Sequence, residues 1–199
     1  MNNAYKIREA TVEDARDIAR LIEISSDGVA VIDWAEAAEV EGVEPLDIGE
    51  RTYRNTEGNY SWRNCSIVEM DGKVAGMLLA FSMPAAEARD PRQRPTAEDT
   101  NVFAPYMYLE EPDSWYICGV ALYPEHRHQG LGTMLMKVAE GQARLHGFKK
   151  ISLVAFAENE GSVRLYKRLG FEVVDQAPVI PHPLIHCGGE ALLMVSWLE

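Results

Sequence analysis

The stretch Glu125 to Leu135, EHRHQGLGTML, constrains this chain more than any other. The apolar run WYICGVALYP ends just before it, and an apolar stripe at helical spacing, Leu131, Leu135, Val138 and Ala139, begins inside it. Glycine is a poor residue with which to open a helix. Gly130 and Gly132 therefore mark backbone that is approached closely, or that takes a φ other residues avoid. A buried strand, a glycine turn and an amphipathic helix together point the bare N–H groups of a helix N-terminus outward. Those donors and the helix dipole favour an anion, here a phosphate or pyrophosphate. A Walker loop needs a lysine that follows neither glycine, and the dinucleotide fingerprint needs a third glycine that is missing at the required place. What remains is R-x-x-G-x-G, from Arg127 to Gly132, whose bland alternative is a tight strand-to-helix turn. From this piece alone both readings stay open.

The rest of the chain supplies a context of strands and helices. YKIREA alternates as a strand, and Thr11 opens T-V-E-D, the pattern of a capping box, before the stripe Ile18, Leu21 and Ile22. Residues 31 to 55 read as helical and acidic, with Glu36, Glu39, Glu41, Glu44, Asp47 and Glu50 as a solvated face. WRNCSIVEM and KVAGMLLAFSM flank Asp71-Gly72, a hairpin turn that needs positive φ. WYICGVALYP follows as a strand buried on both faces. After the glycine run come a helix closed by Gly147, the strand KKISLVAFA, the helix GSVRLYKRLG and the strands FEVVDQ and ALLMVSWL. The predicted order is β-α-α-β-β-insert-β-α-β-α-β-β, a single α/β (α+β) domain over residues 1–199 with helices on a mixed sheet. The insert, residues 84–113, holds five of the ten prolines and predicts a long loop with a short helix around Phe103 to Leu109. A loop of that length is often a lid or a contact surface.

Charge and cysteine usage narrow the function classes. With 19 Lys+Arg against 31 Asp+Glu the net charge is -12, which disfavours a nucleic-acid partner and mildly favours a cationic one, simple solubility being the plainer reading. Cys65, Cys118 and Cys187 lack paired spacing and predict free thiols in a reducing compartment. No apolar run reaches the roughly 18 residues of a membrane span, and MNNAYKIREA has no signal-peptide core. A cytoplasmic location is expected. His182, His186 and Cys187 cluster in the last loop but have no fourth ligand at sensible spacing, so no metal site is expected.

Two motifs together carry a resemblance. V-A-L-Y-P-E-H-R-H-Q-G-L-G-T-M-L, then A-E-N-E-G-S-V-R-L-Y-K-R-L-G-F, resembles the strand, acyl-CoA-binding loop and second motif of the GCN5-related N-acetyltransferase (GNAT) family, in order and at the family's usual separation. The likeness covers about residues 115 to 172; the first half agrees only in pattern, and the insert lies outside the common core. It implies a mixed, mostly antiparallel central sheet of about seven strands flanked by helices, and acetyl-CoA as cosubstrate. It also implies that the amides of His128, Gln129, Gly130, Leu131, Gly132 and Thr133, with Arg127 opening the motif, bind the CoA pyrophosphate. Val120, Ala121 and Leu122 would pair their backbone with the pantetheine amides, a Val120 N–H serving the oxyanion.

Asn159 matches the family asparagine that contacts the cofactor arm, and a helix N-cap is its plainer role. Tyr166 matches the tyrosine that protonates the departing thiolate. Val163, Tyr166 and Leu169 also share helical spacing, so a core position is the alternative. No base is matched: the position that carries a glutamate in some relatives is Val154 here, and Glu110, Glu111, Asp113 and Glu158 read as solvated loop acids. His182 or His186 is placed against the acceptor pocket only by family position. The resemblance implies an N-acetyltransferase acting by direct transfer on a primary amine, a small amine or amino acid before a protein N-terminus. It allows a homodimer and involves neither nucleic acid nor membrane. The alternative from another class is a non-catalytic acyl-CoA-binding sensor.

Overall fold

The computed structural model describes residues 5–86, 89, 101–104 and 106–199. Among them seven strands form: β1 (Lys6–Glu9), β2 (Cys65–Met70), β3 (Lys73–Met83), β4 (Ser114–Leu122), β5 (Lys150–Phe156), β6 (Glu172–Pro178) and β7 (Glu190–Trp197). The five α-helices are α1 (Ala15–Ser25), α2 (Val29–Glu41), α3 (Pro45–Tyr53), α4 (Leu131–Leu145) and α5 (Glu160–Arg168). The strands are hydrogen-bonded in the order β1-β2-β3-β4-β5-β7-β6. β1–β2, β2–β3, β5–β7 and β6–β7 run antiparallel, and β4–β5 runs parallel, as a strand–helix–strand connection through α4 requires. This is the mixed α/β sheet that the element order predicts, and it is mostly antiparallel, as the family resemblance implies. Internal packing groups the chain into two compact units, Met1–Ala80 with Gly119–Lys137, and Phe81–Cys118 with Val138–Glu199.

In the first unit the hairpin of β2 and β3 turns at Asp71 and Gly72, whose φ values of 51° and 75° are those the Asp-Gly signal demands. Ile67, Val68, Met77, Leu78 and Leu79 are fully buried there, as are Ile18 and Leu21 of α1. Truncating one such leucine to alanine costs about 2–5 kcal/mol, because the transfer term and the cavity add.

The acidic stretch is two helices rather than one. Gly42, at φ 70°, ends α2, and Pro45 opens α3 at its first turn, where its missing N–H costs nothing. Its acids are not all a solvated face: Arg16 of α1 binds Asp47 and Glu50 of α3, each at 2.8 Å. Thr11 stands before a short 3-10 turn, Val12–Asp14, that leads into α1. The Thr11 N–H donates to the Asp14 carboxylate at 2.7 Å, and Arg8 grips the same carboxylate with two bonds of 2.7 and 2.8 Å. Burial opposes the Asp14 charge, but Arg8 and Thr11 outweigh it and hold its pKa below the usual carboxylate value.

In the second unit β5 is paired with β7 along its whole length, from Lys150↔Trp197 to Phe156↔Ala191. Ile151, Leu153 and Met194 make its core. The start of β4 is fastened to β5 by the Ser114 and Ser152 hydroxyls, 2.6 Å apart and buried, and by the ion pair of Lys150 with Glu111. β4 alternates buried with half-buried residues instead of being buried on both faces, so only one side of it is fully packed. The described part of the insert contains a 3-10 turn, Tyr106–Tyr108, inside the short helix expected there. Residues 87–88, 90–100 and 105 of the insert lie outside the described residues.

Candidate functional site

The strand that leads to the glycine loop is placed by two glycines that the sequence did not single out. A Cβ on Gly76 of β3 would lie 2.3 Å from Leu122 Cδ2 and 2.6 Å from the Ala121 carbonyl oxygen. One on Gly119 would lie 2.8 Å from both Ile22 Cδ1 and Ser25 Oγ. At Gly76 the obstruction includes backbone, and at Gly119 it is side-chain ends that would have to shift, so neighbouring elements close onto the end of β4, where Val120, Ala121 and Leu122 stand. The register of β4 with β5 covers Trp115, Tyr116 and Ile117, and these three residues come after it. Beyond them the Tyr123 N–H donates to the Ala75 carbonyl at 3.0 Å, and the Tyr123 hydroxyl donates to Asp17. Burial and the Asp17 carboxylate push the Tyr123 pKa well up, so that hydroxyl keeps its proton.

The loop then reverses the chain. Pro124–His126 makes a 3-10 turn, and His128 and Gly130 take left-handed φ values of 62° and 80°. A non-glycine residue in that region costs about 1–2 kcal/mol, so the neighbourhood of His128 must hold it there. A Cβ built on Gly130 would meet nothing within 4 Å. In the free protein Gly130 is therefore required for its φ, and the space beside it is open. Gly132 lies within the first turn of α4.

The helical ladder begins with the Met134 N–H donating to the Gly130 carbonyl at 3.1 Å. The N–H groups of Leu131, Gly132 and Thr133 precede that bond and have no acceptor within the helix. They stand at the positive end of a helix of 15 residues. The Arg127 side chain folds back to donate from Nε to the Leu122 carbonyl at 3.2 Å. His128 is exposed, whereas the His126 ring is half-buried, edge-on to Tyr5 at 6.0 Å. Successive amides without helical acceptors, open space and a dipole of the right sign fit a diphosphate.

In the second unit Asn159 caps α5, its Oδ1 accepting the Ser162 N–H at 3.2 Å, so the plainer of its two roles is present. Tyr166 is 7% exposed and packs against Phe171 with ring centroids 5.9 Å apart, so its ring is core as the helical spacing allows. Burial pushes its pKa up to about 12. Val154, half-buried, pairs with Leu193. The four acids weighed as bases each hold a partner and are not simply solvated: Glu110 binds Arg89 at 2.7 Å, Glu111 binds Lys150, Asp113 accepts the Ala85 N–H at 3.1 Å and Glu158 accepts the Gly188 N–H at 2.8 Å.

The His182 Nδ1 accepts the Leu184 N–H at 3.2 Å within its own turn, and His186 is exposed. Among the described residues no group of three or more His, Cys, Asp or Glu side chains is arranged to hold a metal ion, and no helix is long and apolar enough to cross a membrane. Sequence reasoning missed Tyr106, whose buried hydroxyl has no hydrogen-bond partner among the described residues and whose ring stands edge-on to Phe156 at 5.8 Å. No local motif could have pointed to it.

Comparison with known proteins bears on the whole arrangement. The model of the Acetyltransferase (GNAT) family matches residues 29–171. Over 49 residues the chain is 41% identical to an uncharacterized N-acetyltransferase of Methanocaldococcus jannaschii, a match spanning 25% of this chain and 22% of that protein. The crystal structure of an acetyltransferase shares the fold with a TM-score of 0.65 at 22% identity, over 98% of this chain and 100% of that one. A Salmonella typhimurium protein solved with its cofactor acetyl-CoA shares it with a TM-score of 0.57 at 18% identity, over 98% and 95% of the two chains.

Proposed function

The chain belongs to the acetyltransferase (GNAT) family, and on that premise we propose that it moves an acetyl group from acetyl-CoA directly to a primary amine. One observation carries the reading. After β4 the backbone takes left-handed φ at His128 and Gly130 and presents three amides without helical acceptors at the start of α4. In this reading the diphosphate of acetyl-CoA is held by the amides from His128 to Thr133. The pantetheine arm pairs with the backbone of Val120, Ala121 and Leu122, beyond the β4–β5 register. Asn159 contacts the cofactor arm in addition to capping α5.

The chemistry follows from charge. An amine attacks only when neutral, and a lysine-like amine titrates near ~10.4, an α-amine near ~8. The acids near the motifs are engaged in structural bonds, so the proposal needs no carboxylate base: the amine arrives neutral or loses its proton through water. Its nitrogen attacks the thioester carbonyl, and the Val120 N–H donates to the oxyanion. The C–N bond forms, the nitrogen, cationic after the attack, releases one N–H proton to water, the C–S bond breaks and the electron pair leaves on sulfur. Tyr166, protonated throughout the ordinary pH range because its pKa stands at about 12, is the donor to that sulfur. Full transfer to a thiolate whose own acid titrates at about 8.5 is uphill. Its contribution is thus a hydrogen bond that strengthens as charge develops, with the proton finally drawn from solvent.

Acidic charge favours a small cationic amine or amino acid over a protein N-terminus. A second reading, a non-catalytic acyl-CoA sensor, is favoured by the absence of a disengaged acid among those four residues and by the burial of Tyr166. Thiol release from acetyl-CoA, followed across a panel of amines with Tyr166→Phe as control, separates the two. CoA uptake without thiol release for any amine establishes the sensor.

A further inference from the structure

We propose that Tyr5 is a positioning residue that latches the diphosphate loop, an inference that rests on the reading of that loop given above. Tyr5 stands immediately before β1, the first strand in the sheet order. Its hydroxyl donates to Gln129 Oε1 at 2.8 Å, a contact across 124 residues of sequence. The same hydroxyl lies 3.4 Å from His126 Nδ1, and its ring stands edge-on to the His126 imidazole at an interplanar angle of 85°. Tyr5 thus touches the loop on both sides of Arg127.

The need for a latch comes from the backbone. His128 lies between the two latched residues, His126 and Gln129, and it holds a left-handed φ without being glycine. A loop under that strain relaxes unless something outside it fixes its shape. Backbone bonds close its first turn, the shortest from the His126 N–H to the Tyr123 carbonyl at 2.9 Å, but its own side-chain bonds are local and long: Gln129 Nε2 reaches the Glu125 carbonyl at 3.4 Å, and Arg127 Nε reaches Leu122 at 3.2 Å. The Tyr5–Gln129 bond is shorter and is anchored in a different strand. It fixes the side chain next to His128 and so holds the amides of His128 to Thr133 in the arrangement an anion needs. Preorganisation of this kind raises affinity by removing the ordering cost from the binding step.

The test is calorimetric titration of the full chain with CoA, using wild type, Tyr5→Phe, Gln129→Ala and the double variant. Phenylalanine keeps the ring on His126 and removes only the hydroxyl. Each single change removes the Tyr5–Gln129 bond and is expected to weaken CoA binding about fivefold, as loss of one neutral hydrogen bond does, and the double change by about the same factor, because the long 3.4 Å bond of Gln129 to the Glu125 carbonyl adds little. In Tyr5→Phe the KM for acetyl-CoA rises with it, while kcat at saturating acetyl-CoA and the KM for the acceptor stay constant; general loosening of the fold would move these as well. An unchanged dissociation constant in Tyr5→Phe, or losses that multiply in the double variant, overturns the latch and leaves the proposed function standing. A wild-type chain that takes up no CoA overturns both.

Discussion

The glycine loop and helix α5 do their proposed work by opposite means. In the loop the functional groups are main-chain amides, and side chains serve only to hold the backbone: His128 and Gly130 set φ, while Arg127 and Gln129 turn aside to carbonyls and to Tyr5. In α5 the functional group is one buried side chain, Tyr166, and the backbone is an ordinary capped helix. A backbone site is intolerant of added atoms and indifferent to many side-chain identities. A side-chain site is intolerant of losing a single oxygen and indifferent to local conformation. The two regions should therefore fail differently when altered.

The largest effect is expected at α5. Tyr166→Phe should lower kcat about 100-fold, the low end for loss of one hydrogen bond to developing charge, with CoA affinity unchanged. A kcat within threefold of wild type would return Tyr166 to the core reading. Next comes the loop: valine is a poor occupant of a left-handed φ, so Gly130→Val makes the free loop leave that shape, and binding must restore it. A cost of about 2 kcal/mol weakens CoA binding about 30-fold, with kcat at saturation little altered. If instead kcat falls and affinity holds, the division between grip and chemistry is wrong.

The pH profile sharpens the comparison further. With no carboxylate base, and with Tyr166 protonated because its pKa is raised to about 12, kcat/KM should climb about tenfold per pH unit up to the acceptor amine's own pKa. It should show no alkaline fall below pH of about 11. A bell centred near neutrality would require a base that the proposal omits. The smallest effect belongs to Asn159: Asn159→Ala should cost about 1 kcal/mol of stability through the lost cap, and Asn159→Asp should restore it. If CoA affinity drops in both variants while stability recovers in Asn159→Asp, the side chain serves the cofactor as well as the helix.

Much of the fold was legible because it is written in local periodicity. All seven strands stand where alternation and apolar runs place them, and Asp71-Gly72 turns as its φ requirement says. The acidic stretch misread as one helix shows the limit. Glu36 to Glu50 is uniformly helix-favouring, and the break at Gly42 and Pro45 is visible only once those two residues are weighed as stop and start signals. The acids of that stretch and of the loops looked solvated because their partners, Arg16, Arg89, Lys150 and the Gly188 amide, are distant in sequence.

By itself the sequence determined the order of the seven strands, the strand–glycine–helix turn and the two motifs that mark the family, since each rests on residues close along the chain whose spacing has a direct conformational meaning. Tertiary structure alone decided which glycines are needed for close approach, at Gly76 and Gly119, which acids are already engaged, and what fastens the loop, at Tyr5, Tyr123 and Asp17. These depend on contacts between residues scores of positions apart. A contact of that kind is set by packing, which leaves no periodic trace in either segment.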